Sequence, residues 1–409
     1  MIIFSVLLYV TYIVVMNKWG HQGDMEIWMR WSKYMHIYGL SHVYDVQNYC
    51  NYLPGFLYIL WLNTKIQHTD TNVQDNLYIF KLFVLVFDFI GAYLAVYFVK
   101  DWNKKLFAYL FILVNTAFVF NTLTWAQVDA IFTCFGFAAV IAALNRKLVW
   151  SIVLLVIALN FKLQAIVFIP AVGLLLLPPF IEKFSIVHTL KIICSALVTQ
   201  VIMIFPFLIK GHAGDVWKVV SGYVGQYPYV SASAFNFWFL TIPGDIEYHV
   251  RFLDTGTFIG LSYKNWGFLL FFLFMVLVLY PLIKHYFEKY FKRSVSEFPL
   301  EKIFLVTTLT AAGFFYFNTE MHERYFHPAL ISLAAYTFLS GNYFPFVLGS
   351  VAYFLNLERI LWSLALTNYN IFIFQPVFVA VLFGILILYL LFRLYSPEQF
   401  NEQNLQLTT

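Results

Sequence analysis

The chain has 409 residues, of which 61% are hydrophobic and 11% charged, with 47 Phe, 28 Tyr and 11 Trp. Soluble domains carry roughly a quarter charged residues, and a soluble core of this length could not bury so much apolar surface, whereas a bilayer solvates it. A formal net charge of +4, with the basic residues spread along the chain, excludes a nucleic-acid footprint.

The opening MIIFSVLLYVTYIVVMNKW lacks the positive flank and small-residue cleavage site of a secretory signal peptide, so it reads as an uncleaved first span. Apolar runs recur at about 1–16, 77–99, 106–120, 128–144, 148–160, 164–178, 188–209, 263–283, 303–317, 328–340, 343–357 and 371–394. They predict an all-α, polytopic transmembrane bundle of about twelve helices, several of them short. One integral membrane domain over 1–395 is expected, followed by a disordered, polar cytoplasmic tail over 396–409. Cys50, Cys134 and Cys194 are odd in number and two lie in apolar runs, so they read as plain thiols.

The connections Lys100–Lys105, Arg146–Lys147 and Lys284–Arg293 are compact and basic, and the positive-inside rule places them in the cytoplasm. The short run Leu53–Leu62, which begins Pro54-Gly55, then reads as a re-entrant or surface helix. On this topology the long segments 17–76 and 210–262 lie outside, with the turns Trp125–Asp129, Phe161–Gln164 and Asn318–His327. The unusual polar residues thus gather on one face, as a surface active site requires. A transporter concentrates them near the midplane instead.

In the first outer segment, Asp24 and Glu26 follow the first span, with Arg30 and Trp31 close behind. A carboxylate beside a basic group can take an acceptor's proton while a phosphate leaves from the other face of a sugar; the same residues could equally cap a surface helix. NTLTWAQVDAIF puts Gln127 and Asp129 at a helix start. NFKLQAIVFIP sets Lys162 and Gln164 in apolar surroundings, where a lysine needs an anion or must snorkel. GQYPYVSASAFNFWFL, containing Asn236, suits either sugar recognition or an interfacial aromatic belt.

NTEMHERYFHP crowds Glu320, His322, Glu323, Arg324 and His327 into one turn. Its H-E-x-x-x-H order misses the zincin spacing, so no metal site is read there and an anion site is. Asp88 sits inside a span, two turns after Lys81. A structural hydrogen-bonding role or a proton path would each account for that pair. Walker A, Rossmann and GxSxG patterns are absent, so a sugar donor would be lipid-linked rather than a nucleotide sugar.

Taken in order, six pieces of the sequence resemble the GT-C superfamily of polytopic glycosyltransferases. The nearest likeness is to bacterial mannosyltransferases similar to the GPI-anchor second mannosyltransferase. The pieces are Gly23-Asp24 after the first span, Tyr52-Leu53-Pro54-Gly55-Phe56-Leu57-Tyr58, and Trp125-Ala126-Gln127-Val128-Asp129. Lys162-Leu163-Gln164-Ala165, Ala234-Phe235-Asn236-Phe237-Trp238 and Met321-His322-Glu323-Arg324-Tyr325 complete the set. Gly55 replaces a proline and Ala126 a glycine of the family's pattern.

The resemblance implies an inverting transferase of GT-C type that moves a sugar, mannose first, from a polyprenyl-phosphate donor to a glycan, lipid or protein acceptor. The site would face the periplasm or exterior from a bacterial inner membrane. By position Asp24 becomes the catalytic base. The Lys162 and Met321–Tyr325 turns would line the donor-phosphate pocket, and with the residues singled out above the candidate donor-phosphate or substrate groups are Glu26, Arg30, Lys81, Gln127, Asp129, Lys162, Gln164, Asn236, His322, Glu323 and Arg324. No cofactor is expected, while metal dependence varies across the superfamily. The rival readings are a transporter or flippase of lipid-linked sugars, and an oligosaccharide ligase or polymerase.

Overall fold

A computed structural model describes residues 1–292 and 297–397. Arg293 of the third basic connection and the tail from residue 398 lie outside the described residues. The first part of the chain forms α1 (Ile2–Val15), α2 (Gln22–Tyr38), α3 (Pro54–Gln67), α4 (Asp70–Asp75) and α5 (Phe80–Ala95). Then come α6 (Trp102–Leu113), α7 (Thr116–Leu123), α8 (Asp129–Leu144), α9 (Leu148–Phe161), α10 (Ile169–Glu182) and α11 (Ile186–Leu208). The second long connection holds α12 (Ala213–Ser221), α13 (Trp238–Thr241), α14 (Ile246–His249) and an antiparallel hairpin, β1 (Thr257–Phe258) with β2 (Leu261–Ser262). The chain closes with α15 (Tyr263–Phe291), α16 (Leu300–Phe317), α17 (His327–Ser340), α18 (Phe344–Leu361) and α19 (Pro376–Tyr395).

The molecule is therefore a nearly all-α, multi-pass membrane protein. Among the described residues, seven helical stretches are long and apolar enough to cross a bilayer, or eight if α6 and α7 form one broken span. That pair bends by 49° where the Asn115 side chain accepts the Phe118 N–H and starts a new helix. Three further apolar helices, α1, α8 and α9, are shorter. Each of the twelve apolar runs is helical.

Hydropathy and burial separate the periphery from the interior. In α11 only 11% of the most apolar window is buried, against 72% in α16, although mean hydropathy is 2.0 in the first and 1.3 in the second. The peripheral helix meets lipid with its apolar side chains, whereas α16 packs against α17 and carries Thr307, Thr308 and Thr310. Their hydroxyls donate to carbonyls one turn back, so no polar group is stranded.

The two ends of the bundle differ in chemistry. At one end Arg146, after α8, pairs with Glu182 at the end of α10 (2.7 Å), which also accepts from the Tyr290 hydroxyl near the end of α15. Two of the three basic connections therefore share an end. At the other end the start of α8 meets the end of α9 and the turn that follows α16. There a second apolar cluster, distinct from the main helical core, joins Trp28, Trp31, Phe56, Phe80, Phe132 and Phe207 beneath the polar segments. The run beginning at Pro54 is the fourteen-residue α3, longer than the sequence suggested. Its Gly55 lies so close to α9 that a side chain there would strike Phe161 (2.7 Å) and the Asn160 carbonyl (2.8 Å).

Candidate functional site

Asp24 sits in the first turn of α2, and His21 stands at the N-cap of that helix. Nδ1 of His21 lies 3.3 Å from Oδ2 of Asp24. The same oxygen accepts from Gln127 Nε2 at 2.6 Å and from the Trp125 indole at 3.4 Å. The turn carrying these two donors is held to the helix start by His21 N–H to the Trp125 carbonyl (2.9 Å) and by stacking of the His21 and Trp125 rings. At its centre Ala126 adopts φ +69°, a left-handed conformation that costs an L-residue roughly 1–2 kcal/mol and a glycine almost nothing. The residue that departs from the family-like pattern thus stands where the backbone favours glycine.

Asp129 opens α8 and is buried. Its Oδ1 pairs with Lys162. Its Oδ2 accepts from Asn121 at 3.0 Å and lies 3.8 Å from Arg324 Nε. Arg324 donates to Glu323 at 2.8 Å, and Glu323 lies 3.8 Å from His322. Lys162, Asp129, Arg324 and Glu323 therefore form a buried line of alternating charge from three chain segments. Such a line can exist only because each ion has an opposite neighbour. The Tyr325 ring stands between the two cations, 5.6 Å from the Lys162 ammonium and 5.7 Å from the Arg324 guanidinium.

Asp24, Lys162, Gln164 and Arg324 line one cavity, together with Trp28, Tyr52, Tyr223 and Tyr227; its empty volume is about 600 Å3 including the mouth. Among the described residues, neither end of the buried Gln164 amide has a hydrogen-bond partner, and neither has Arg324 Nε. Polar atoms buried in this way await a ligand or solvent. Burial acts against the charge on Asp24, but the His21 hydrogen bond, the Arg324 charge and Gln127 outweigh it and hold the carboxyl well below the usual range. Burial likewise opposes ionisation of Glu323, and Arg324 overrides it, holding that carboxyl at about 2. Asp24 raises His21 through their hydrogen bond, whereas burial lowers both Lys162 and His322.

Four residues expected at the site lie elsewhere. Glu26 follows Asp24 by two positions, about 200° round the helix, and accepts from Gln22 on the far face. Arg30 is likewise turned away and donates to the Asn48 carbonyl at 3.1 Å. Lys81, at the start of α5, is enclosed by the carbonyls of Asn17, Trp19 and Leu123 and by the Asn17 side chain, so it fastens the chain leaving α1. Asn236 bonds the Phe315 carbonyl and shapes its own loop through Trp238 N. Asp88 is buried in α5 beside Thr122. His327 stacks on Phe118, away from the Glu323 carboxylate that neighbours His322.

The sequence reading missed His21, Tyr223, Gln226 and Tyr227. A histidine three residues before an acid at a helix start was the available signal for the first. The other three lie on or before the aromatic stretch of the second outer segment and reach the cavity only through tertiary packing. No protein-family model matches the chain, and no curated protein matches it.

Proposed function

We propose that the chain is an inverting glycosyltransferase of GT-C type that uses a polyprenyl-phosphate sugar, mannose first, as donor. One observation carries this reading: three separate segments bring a carboxylate, two cations and an unpartnered amide onto one cavity at the end of a membrane bundle. Lys162, Arg324 and Gln164 suit a phosphate and sugar hydroxyls. Asp24, fixed by three donors, is placed to receive a proton from an acceptor hydroxyl.

In the proposed step the acceptor oxygen attacks the anomeric carbon as Asp24 takes its proton, and the bond from that carbon to the phosphate oxygen breaks. The polyprenyl phosphate leaves with the electron pair, towards Arg324 and Lys162. Stabilising charge at the leaving group and aligning the acceptor opposite it each lower the barrier. The resting Asp24 is a weak base because the His21 hydrogen bond and the Arg324 charge stabilise its anion. A donor phosphate beside Arg324 offsets that charge and strengthens the base when the substrate is present.

The reading places the cavity on the non-cytoplasmic face of a bacterial inner membrane, opposite the basic connections, with a lipid, glycan or protein as acceptor. It also takes α1, α8, α9 and α17 as short spans, which brings the expected count to twelve. Proteoliposomes given labelled polyprenyl-phosphate mannose and a membrane extract should move label to an acceptor. Inert mannose, glucose and arabinose donors would refute the reading, and transfer only from donors carrying many sugars would favour a ligase. The transporter alternative loses its candidate midplane pair, because Lys81 spends its donors on the Asn17–Trp19 linker and Leu123.

A further inference from the structure

Away from the cavity, three side chains meet where the two long polar segments touch. His42 and Asp45 lie on the turn after α2, and His212 directly precedes α12. Nδ1 of His42 is 3.4 Å from Oδ2 of Asp45, and Nε2 of His212 is 3.3 Å from Oδ1. The three donor atoms fall within 4.8 Å of one another, and among the described residues they are the one such group. We infer that His42, Asp45 and His212 bind a divalent transition-metal ion of the Zn2+ type.

The His212 ring carries the argument. Its Nδ1 is 3.0 Å from Oδ2 of Asp215 while its Nε2 faces Asp45, so both nitrogens look at carboxylates. A neutral imidazole has one N–H. Given to Asp215, it leaves the Nε2 lone pair directed at the Asp45 oxygen, an arrangement that a cation between them relieves. His42 presents its Nδ1 to the same carboxylate from the other side. One shared ion serves both rings.

The spacing agrees. Bonds of about 2.0–2.1 Å in a tetrahedral zinc site put neighbouring donor atoms ~3.3–3.4 Å apart, the distance at which His42 Nδ1 stands from Oδ2 of Asp45 and His212 Nε2 from its Oδ1, with a donor atom of each residue inside 4.8 Å of the others. An outer shell is also in place. Asp215 fixes the His212 tautomer and is held by Lys218 at 2.9 Å, while the Tyr34 hydroxyl donates to Asp45 Oδ2 at 2.6 Å. Two imidazoles and one carboxylate favour zinc-like ions over magnesium or calcium. The three side chains are partly accessible, so an ion can enter.

The proposed ion would clip α12 to the turn behind α2. A second, more open cavity there shares Asn51, Val219 and Gln226 with the Asp24 cavity. The ion therefore positions a wall of that cavity and touches no reacting atom. Binding of the ion is independent of sugar transfer and is read directly.

The test uses the full chain, purified without a histidine tag, stripped with chelator and titrated with Co2+ and then Zn2+. The expected result is one equivalent of Co2+ with visible d–d absorption, displaced by Zn2+. His42→Gln and His212→Gln should each lower Zn2+ affinity at least ~10-fold, and Asp215→Asn about 10–100-fold, as loss of an outer-shell partner does. Metal-free melting should match wild type. If a histidine variant melts early, weakened binding by Asp215→Asn supports the site instead. Well under one equivalent in the wild type, or variants that all bind as tightly as wild type, would overturn it.

Discussion

Lys81 and Lys162 look alike in the sequence, each a lysine in apolar surroundings, yet they occupy regions of different purpose. Lys81 directs its ammonium at oxygens of the Asn17–Trp19 linker and at the Leu123 carbonyl, all neutral, and so behaves as a fastener between α1 and α5. Lys162 pairs with the buried Asp129 and lines the cavity with Arg324. What separates them is the counter-charge. Neutral carbonyls can hold a structural cation, whereas under the proposed function the alternating line of ions that opens on the cavity trades one of its anions for a substrate's phosphate.

Substitution at the two positions tests that contrast. Lys162→Met leaves Asp129 buried with only Arg324 and Asn121, and should cost about 3–5 kcal/mol of stability while raising the KM for the donor. Lys81→Met should cost less, about 1–3 kcal/mol from carbonyls left without a donor, and leave the donor KM unmoved. Thermal unfolding beside steady-state kinetics separates the cases. Equal KM effects from both substitutions would erase the distinction.

Titration sharpens the comparison further. The folded pKa of His21 is raised by Asp24, so their pair contributes fully below about pH 6.5 and is lost as pH rises through the elevated value. His21→Gln should therefore lower the Tm in mildly acidic buffer and match wild type in alkaline buffer. Glu323 has the opposite sign: its contribution is present above the ordinary carboxylate range and disappears as pH falls towards about 2. The smallest effect is expected at the turn between the two regions. Ala126→Gly should raise stability by about 0.5–1 kcal/mol by relieving the positive φ, read as a higher Tm with unchanged turnover.

Much of this was legible in the sequence. Hydropathy located every apolar run, and the turns holding Asp24, Gln127, Asp129, Lys162, Gln164 and Arg324 stood out because polar residues interrupt such runs at their ends. The failures have particular causes. Glu26 and Arg30 were grouped with Asp24 by nearness along the chain, but helical rotation turns them away. Lys81 could not be told from a ligand-binding lysine, because its acceptors come from the Asn17–Trp19 linker and from Leu123. Asn236 sits in a family-like stretch but spends its amide on its own loop and α16. The His42–Asp45–His212 meeting was invisible since about 170 residues of chain separate its halves.

In the proposed function Asp24 acts as the base at a cavity that takes the phosphate end of a lipid-linked sugar. The most direct measurement is transfer of labelled mannose from polyprenyl phosphate in proteoliposomes, with wild type and Asp24→Asn side by side and equal melting curves for the two. Wild type should transfer label and the variant should lose roughly 10²–10⁴-fold, the usual contribution of a general base. Undiminished turnover by Asp24→Asn would contradict it.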